Sequence, residues 1–281
     1  MTASLIYVYG VARDADGAPA EALAGLRGVA DAPVHLVRAG DDDEVVAAVS
    51  PVPAQDFQEA ALTAHLEDLD WLESVARAHH RVIEALAART TVLPLRLATV
   101  YLDDDRIRDM LEARREAFAE RLTDLAGHEE WGVKISVEAP PAARHPPEPS
   151  AKPDPAAASA ADPELSPGRA YLSRRRAQRH ARDEAHRDAE RAAERVEAAA
   201  RAHAVDRVRH RPQQGELARG PGENVINDAY LVPLRHAESF RTDVMRAADG
   251  LSGVCVEVTG PWAPYSFSAD GRTEPSKRAA P

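Results

Sequence analysis

The chain has 281 residues, a formal net charge of −11 and a single cysteine. That length suits one or two domains, and the acidic balance argues against a protein built mainly to coat polyanionic nucleic acid. One cysteine excludes an internal disulfide and suits a reducing cytosol. The opening residues lack a basic segment followed by a long apolar run, and no apolar run reaches the roughly 20 residues of a membrane span. The expectation is a soluble cytoplasmic protein.

Leu5-Ile6-Tyr7-Val8-Tyr9, closed by Gly10, is a continuous apolar run, the pattern of a strand covered on both faces. A short helix is expected over 21–26, weakened by Gly25, and then two strands, 34–37 and 45–49. They form a hairpin turned at Gly40 and Asp41-Asp42-Asp43. Asp56 and Glu59 have capping-box spacing, and Leu62, Leu66, Leu69, Leu72, Val75, His79, Val82 and Leu86 recur every three to four residues. Together they predict a helix over 56–86, with a break near 62–66 left open. Residues 92–97 are strand-like, but Pro94 has no N–H for a ladder and belongs at an edge or a strand start. Asp103-Asp104-Asp105 opens another helix, with Leu111, Phe118, Leu122 and Leu125 inward and Gly127 as its stop.

In the second half, residues 133–137 alternate as a half-buried strand does. Residues 139–166 are dominated by Pro, Ala and charge; they lack the apolar area to offset ordering entropy and read as a disordered or polyproline-rich loop. Ser166-Pro167 is an N-cap followed by proline at the first helical position, opening a long Arg/Ala/Glu helix to about Val208. Strands at 216–218 and 225–232, a helix over 238–248 stopped by Gly250, and a strand at 254–258 complete the series. The order is strand, long helix, two strands, helix, strand, and the first half has the same order with one extra helix. The expected fold is α+β in two domains, 1–128 and 129–281, each a mixed or antiparallel sheet with helices on one face. The C-terminal one is ferredoxin-like with a disordered insertion at 139–166.

Signals for chemistry are sparse. No glycine-rich phosphate cradle, His-Glu-x-x-His segment or paired cysteines occur, so neither a cofactor nor a metal site is expected. Cys255, between Val254 and Val256, reads as a small buried hydrophobe rather than a nucleophile. The two aspartate triplets could offer hard oxygen ligands, but they lack the spacing and glycine of a calcium loop. A solvated hairpin tip and an acidic helix start explain them. His79-His80 point about 100° apart on a helix, so one ring faces the core and bonds a carbonyl. Arg174-Arg175-Arg176, Arg179 and Arg182 form a basic patch, followed by acidic residues from Asp183 to Glu197 at ion-pairing spacings. A self-paired solvated helix is the favoured reading. RNA recognition by stacking wants more aromatic residues than the 5% present.

Several segments, taken in order and spacing, resemble the gas vesicle protein F/L family. They are Ile6-Tyr7-Val8-Tyr9-Gly10, then Leu93-Pro94-Leu95-Arg96-Leu97-Ala98-Thr99-Val100, then Trp131-Gly132-Val133-Lys134. Pro167-Gly168-Arg169-Ala170-Tyr171-Leu172 and Asn227-Asp228-Ala229-Tyr230-Leu231-Val232-Pro233 follow. The last is Thr259-Gly260-Pro261-Trp262-Ala263-Pro264-Tyr265-Ser266-Phe267. Family members often carry Phe-Gly where this chain has Leu97-Ala98.

The resemblance implies a non-enzymatic, cofactor-free minor protein of gas vesicle formation in the cytoplasm or on the vesicle. Its implied partners are the small hydrophobic shell subunit and other gas vesicle accessory proteins, with no membrane and no nucleic acid. It acts as an adaptor or nucleator, or stays as a minor vesicle component. The competing functions are a small-molecule enzyme on a ferredoxin-like scaffold and an RNA binder working through the arginine-rich helix. The family-motif positions, structural or partner-contacting, are Pro94, Arg96, Trp131, Gly168, Tyr171, Tyr230, Gly260, Pro261, Trp262, Pro264 and Tyr265. Trp262 and Tyr265 are expected to be buried anchors, and Arg96 is either a buried ion-pair partner or a shell-subunit contact.

Residues 142–162 contain no core-forming pattern, so their deletion is expected to leave the denaturant midpoint nearly unchanged, because loop closure entropy grows slowly with length. Loss of cooperative unfolding in the deletion variant counts against this.

Overall fold

The computed structural model describes residues 3–40, 44–65, 67–138, 167–212 and 222–268. The acidic hairpin tip at 41–43, the Pro-rich segment 139–166 and the expected strand at 216–218 lie outside the described residues. The chain is α+β with two antiparallel sheets.

It divides into two compact units. One comprises the described parts of Met1–Trp131, Leu231–Leu234 and Gly260–Pro281; the other comprises those of Gly132–Tyr230 and Arg235–Thr259. A single cut at 128/129 therefore does not describe them: the terminal motif, encoded last, belongs with the first unit.

In the first unit, β1 (Ser4–Arg13) is flanked by β3 (Val45–Pro53) and β4 (Val92–Pro94), and β2 (His35–Arg38) lies outside β3. Tyr7, Val8, Tyr9 and Val11 are all buried, as the continuous apolar run requires. The expected strand 92–97 is interrupted. Pairing with β1 stops at Pro94 and resumes at β5 (Val100–Tyr101). Between them Ala98 adopts φ +61, the left-handed region, which cannot continue a strand.

The helices also divide where a period alone does not show it. After α1 (Ala18–Leu23), the predicted helix over 56–86 is three: α2 (Ala54–Phe57), α3 (Glu59–His65) and α4 (Leu69–Ala87). The effective cap is Asp68 rather than the Asp56/Glu59 pair. It sits at φ −88, ψ 104 and its carboxylate accepts from the N–H groups of Asp70 and Trp71. From Asp68 on, Val75, His79, Val82 and Leu86 form the buried stripe of α4. Likewise Asp103 caps α5 (Asp104–Ala113), accepting from the Arg106 N–H at 2.9 Å, and Arg114 breaks it from α6 (Arg115–Leu125).

The second sheet runs β7-β8-β6-β9, with β6 at His128–Glu138, β7 at Asp206–Arg209, β8 at Gly222–Pro233 and β9 at Val254–Trp262. In local chain order this path is 2-3-1-4, the same as β2-β3-β1-β4 in the first sheet. Helix α7 (Pro167–His203) ends earlier than expected and frees 206–209 to pair as β7; α8 (Ala237–Met245) precedes β9. Ala185, Ala189, Ala192 and Val196 recur at helical spacing on the buried side of α7, small side chains that allow close approach. Before Ala185, every described side chain of α7 is exposed.

Ala98 offers a direct test of the backbone. An L-residue pays about 1–2 kcal/mol in the left-handed region and glycine does not, so Ala98→Gly should raise the unfolding free energy by about 0.5–1 kcal/mol after glycine's larger entropy loss. A lower denaturant midpoint in the variant counts against the left-handed turn.

Candidate functional site

The most elaborately bonded cluster of the first unit begins on β1. Tyr7 and Tyr9 are two residues apart, so their rings leave the same face of the strand, with centroids 4.9 Å apart. The Tyr9 hydroxyl donates to Ser50 Oγ at 2.9 Å and accepts the Val29 N–H at 2.7 Å. The Tyr7 hydroxyl accepts the Ala98 N–H at 3.1 Å and lies 3.0 Å from Nδ1 of His79 on α4. A neutral imidazole has one N–H and one bare nitrogen, so this contact is donated either by the phenol to Nδ1 or by Nδ1–H to the second lone pair of the phenol oxygen. The other ring nitrogen, Nε2, is buried and has no hydrogen-bond partner among the described residues. The core-facing histidine thus bonds a phenol rather than the carbonyl expected for it.

His80 turns toward the terminal segment. Its Nδ1 lies 3.2 Å from the Tyr265 hydroxyl and its Nε2 3.1 Å from Glu84. The ring also stands 5.6 Å, centroid to centroid, from that of Trp262.

Burial sets the protonation of the cluster. Desolvation pushes His79 down to about 4, helped by the neighbouring His80. It pushes the Tyr7, Tyr9 and Tyr265 phenols upward; Glu84 and Glu130 add to the rise at Tyr265. All four groups are therefore neutral at pH 7. General acid–base chemistry wants a group poised near the working pH, so this cluster is suited to fixing geometry rather than moving protons.

The terminal motif is tied to the same unit by polar contacts. The Glu130 carboxylate accepts the Ser266 N–H and hydroxyl, both at 2.7 Å, and Arg121 Nε donates to the Phe267 carbonyl at 3.0 Å. The Gly260–Pro261 peptide is cis. Gly260 sits at φ +131, where a Cβ would stand 2.9 Å from the Glu130 carbonyl oxygen and against the Trp131 ring, so no larger residue fits. Trp131 is buried and donates from Nε1 to Glu129 at 2.8 Å.

Trp262 is 39% exposed, contrary to its expected role as a buried anchor. Phe267, Ala263 and Pro264 are the buried members of the motif, with Tyr265 half-buried and Pro261 exposed. Pro94 is buried at the end of β4. Arg96 is exposed and forms no ion pair among the described residues, which removes the buried ion-pair reading. Gly168 and Tyr171 lie in the first turns of α7, Tyr171 exposed. Cys255 is exposed as well, since the alternation of β9 puts it on the same face as Glu257.

In the second unit Tyr230 is buried and its hydroxyl donates to Asp228 at 3.4 Å. Arg207 lies over the Tyr230 ring and donates from Nε to Asp228 at 3.1 Å. Burial first, and then Asp228, pushes Tyr230 up to about 12. The sequence alone assigns no role to Asp228 or Ala98 and no phenol partner to His79. The available signals were an acid inside a strand and the alanine replacing a family glycine. Among the described residues no group of three or more His, Cys, Asp or Glu could hold a metal ion. No helix among them is long and apolar enough to cross a membrane.

These features define an α+β protein whose best-built clusters hold chain segments in place. Residues 5–269 match the family described as Gas vesicle synthesis protein GvpL/GvpF, and the chain belongs to that family. It is 43% identical over 269 residues to Gas vesicle protein L of Streptomyces sp. (strain CB03234), covering 95% of this chain and 94% of that one. It is 27% identical over 270 residues to Gas vesicle protein F of the same strain, covering 93% and 98%. The crystal structure of gas vesicle protein GvpF from Anabaena sp. PCC7120 superposes with a TM-score of 0.62 at 18% identity, over 96% of this chain and 98% of that one. The GvpF structure from Microcystis aeruginosa gives 0.58 at 16% identity, over 94% and 99%. The fold is that of GvpF, and the family assigns the chain a part in gas vesicle formation.

His79 makes stability pH-dependent with a definite sign. Its folded pKa of about 4 lies below the 6.5 of a free imidazole, so between those values the unfolded chain binds a proton that the folded chain does not, and stability falls as pH falls. The full effect is on the order of 3 kcal/mol. Urea unfolding across this window is expected to show the loss in the parent protein and a shallower one in His79→Leu. Equal slopes in the two count against a neutral buried ring.

Proposed function

We propose that the chain acts in gas vesicle formation as a non-catalytic adaptor or nucleator that binds the small hydrophobic shell subunit, either releasing it into the vesicle or staying there as a minor component. The partner is one of the gas vesicle proteins, and the site of action is the cytoplasm or the vesicle. The two compact units are read as two domains, the second ferredoxin-like. Its strand order β9-β6-β8-β7, with α7 between β6 and β7 and α8 between β8 and β9, supports that reading.

A shell subunit rich in apolar strand aggregates when its edges are free, and strand addition to a sheet edge is a direct way to hold it. The observation that carries the choice of edge is the contrast between β4 and β9. On β4 the Thr91 carbonyl and the Leu95 N–H bond to β1, so Val92 and Pro94 face outward. Pro94 offers no N–H there, and this edge is blunted. The nine-residue β9 ends the second sheet and keeps its donors from Val254 to Gly260, so it is the edge we assign to the partner.

Main-chain capture at an edge is only weakly sensitive to salt, unlike capture by the arginines of α7. Co-purification of the shell subunit is expected to persist at high salt and after charge reversal of Arg174, Arg175 and Arg176. It should be lost in whichever of Cys255→Pro and Val256→Pro removes the outward N–H, with cooperative unfolding retained. Loss on charge reversal or at high salt transfers the binding site to the basic helix.

A further inference from the structure

The first half of α7 carries six arginines, Arg169, Arg174, Arg175, Arg176, Arg179 and Arg182, and no acid before Asp183, in a chain of net charge −11. Local forces oppose a helix there. Cations crowd the positive end of the helix dipole, and like charges three and four residues apart repel, with no acid in the segment to pair them. No described side chain before Ala185 is buried, so packing does not compensate. Arg182 reaches Glu223, but Arg175, Arg176 and Arg179 form no ion pair among the described residues. At 100° per residue, Tyr171, Arg175, Arg179 and Arg182 share one face of the helix within about 80°. Tyr171 and Leu172, at the start of that stripe, are 58% and 53% exposed.

The complement of this surface is in the same sequence. Residues 41–73 hold ten Asp and Glu and no Lys or Arg. Within them α3 and the start of α4 present Glu59, Glu67 and Asp70, all exposed and without an ion pair among the described residues. The neighbouring acids are engaged, Asp68 as the cap of α4 and Glu73 with Arg77. Leu69, flanked by Asp68 and Asp70, is 73% exposed. Each patch is thus an exposed apolar residue set among charges of one sign, and the signs are opposite. An apolar centre with a charged rim is the anatomy of a protein–protein interface. A long polyanion matches the arginines alone and meets an acidic chain elsewhere, whereas the acidic patch matches both the arginines and Tyr171.

We infer that the first half of α7 docks on the acidic patch of a second copy of this chain, Arg175 and Arg179 facing Glu59, Glu67 and Asp70 while Tyr171 and Leu172 meet Leu69. Opposite charge steers the two surfaces together and fixes their register, and the acids remove the repulsion that burdens the free helix. Two different surfaces meet, so copies join head to tail instead of closing a two-fold dimer. The self-association is separate from capture of the shell subunit at β9, which charge reversal on α7 leaves intact.

The test is sedimentation of the nuclease-treated full chain from about 5 to 200 µM. In about 30 mM salt the average mass should rise steadily with concentration, and in about 500 mM salt the rise should disappear. Two variants carry the decisive comparison, Arg175→Glu with Arg179→Glu on α7 and Glu59→Arg with Asp70→Arg on the acidic patch. All four positions are exposed, and cooperative unfolding is checked in each variant. Each variant alone should associate about tenfold or more weakly than the parent. Mixing the two should restore association, because the intact α7 of one meets the intact acidic patch of the other. The inference is overturned by a parent that stays monomeric at low salt, by association that survives either reversal, or by a mixture that fails to associate. A salt-dependent shift with a single-stranded RNA of about 20 nucleotides, in place of self-association, assigns the helix to a polyanion and also overturns it.

Discussion

The Tyr7 hydroxyl has one proton and two neighbours to satisfy, and the first unit is arranged around that limit. It accepts from Ala98 N–H and sits against His79 Nδ1, so a residue of β1 fixes both the rotation of α4 and the turn that ends β4. The turn is tight because Ala98 takes a left-handed conformation. That conformation returns the chain to β1 one step later, where Ile6 faces Tyr101 and Tyr7 faces Val100. Tyr9 repeats the device two residues on, joining β1 to Ser50 of β3 and to Val29. Desolvation keeps the rings neutral, and neutral hydrogen bonds in a dry site hold direction well.

The same economy explains the terminal motif. Its anchors are polar contacts to backbone groups: Arg121 on the Phe267 carbonyl, Glu130 on the Ser266 amide. Phe267 fills the core, and the larger Trp262 stays at the surface beside His80. Both contacts come from residues shortly before or inside β6, so the last described residues of the chain complete a unit that began with its first strand. Such a closing segment makes the first unit depend on chain translated after the second.

The second unit uses a buried acid instead of a buried imidazole. Asp228 is 2% exposed and is held by Arg207 and Tyr230, an arrangement that is costly to form and costlier to break. Beyond it, α7 extends through turns in which no described side chain before Ala185 is buried. Arg182 pairs with Glu223 at 2.8 Å and Arg191 with Asp188 at 2.8 Å. These exposed pairs add little stability. The alanine stripe and the apolar residues of α8 carry the packing.

Element types were legible in the sequence because periodicity and caps are local. The apolar run of β1, the stripe of α4, the Asp103 cap and the order of strands and helices all follow from spacing over a few residues, and the family motifs identified the class of protein. Boundaries set by single residues were not legible. Asp68, rather than Asp56, caps α4, because only at Asp68 does the carboxylate reach free amides. What only tertiary structure decided is which side chains meet. Trp262 and Cys255 look like core residues by type, yet an edge strand and its continuation leave them exposed. His79 is ordinary in the helix stripe until a phenol 72 positions away takes one nitrogen and leaves the other without a partner among the described residues. Hydrophobicity and period are properties of a segment, whereas exposure and hydrogen-bond pairing are properties of a neighbourhood assembled from segments far apart in sequence.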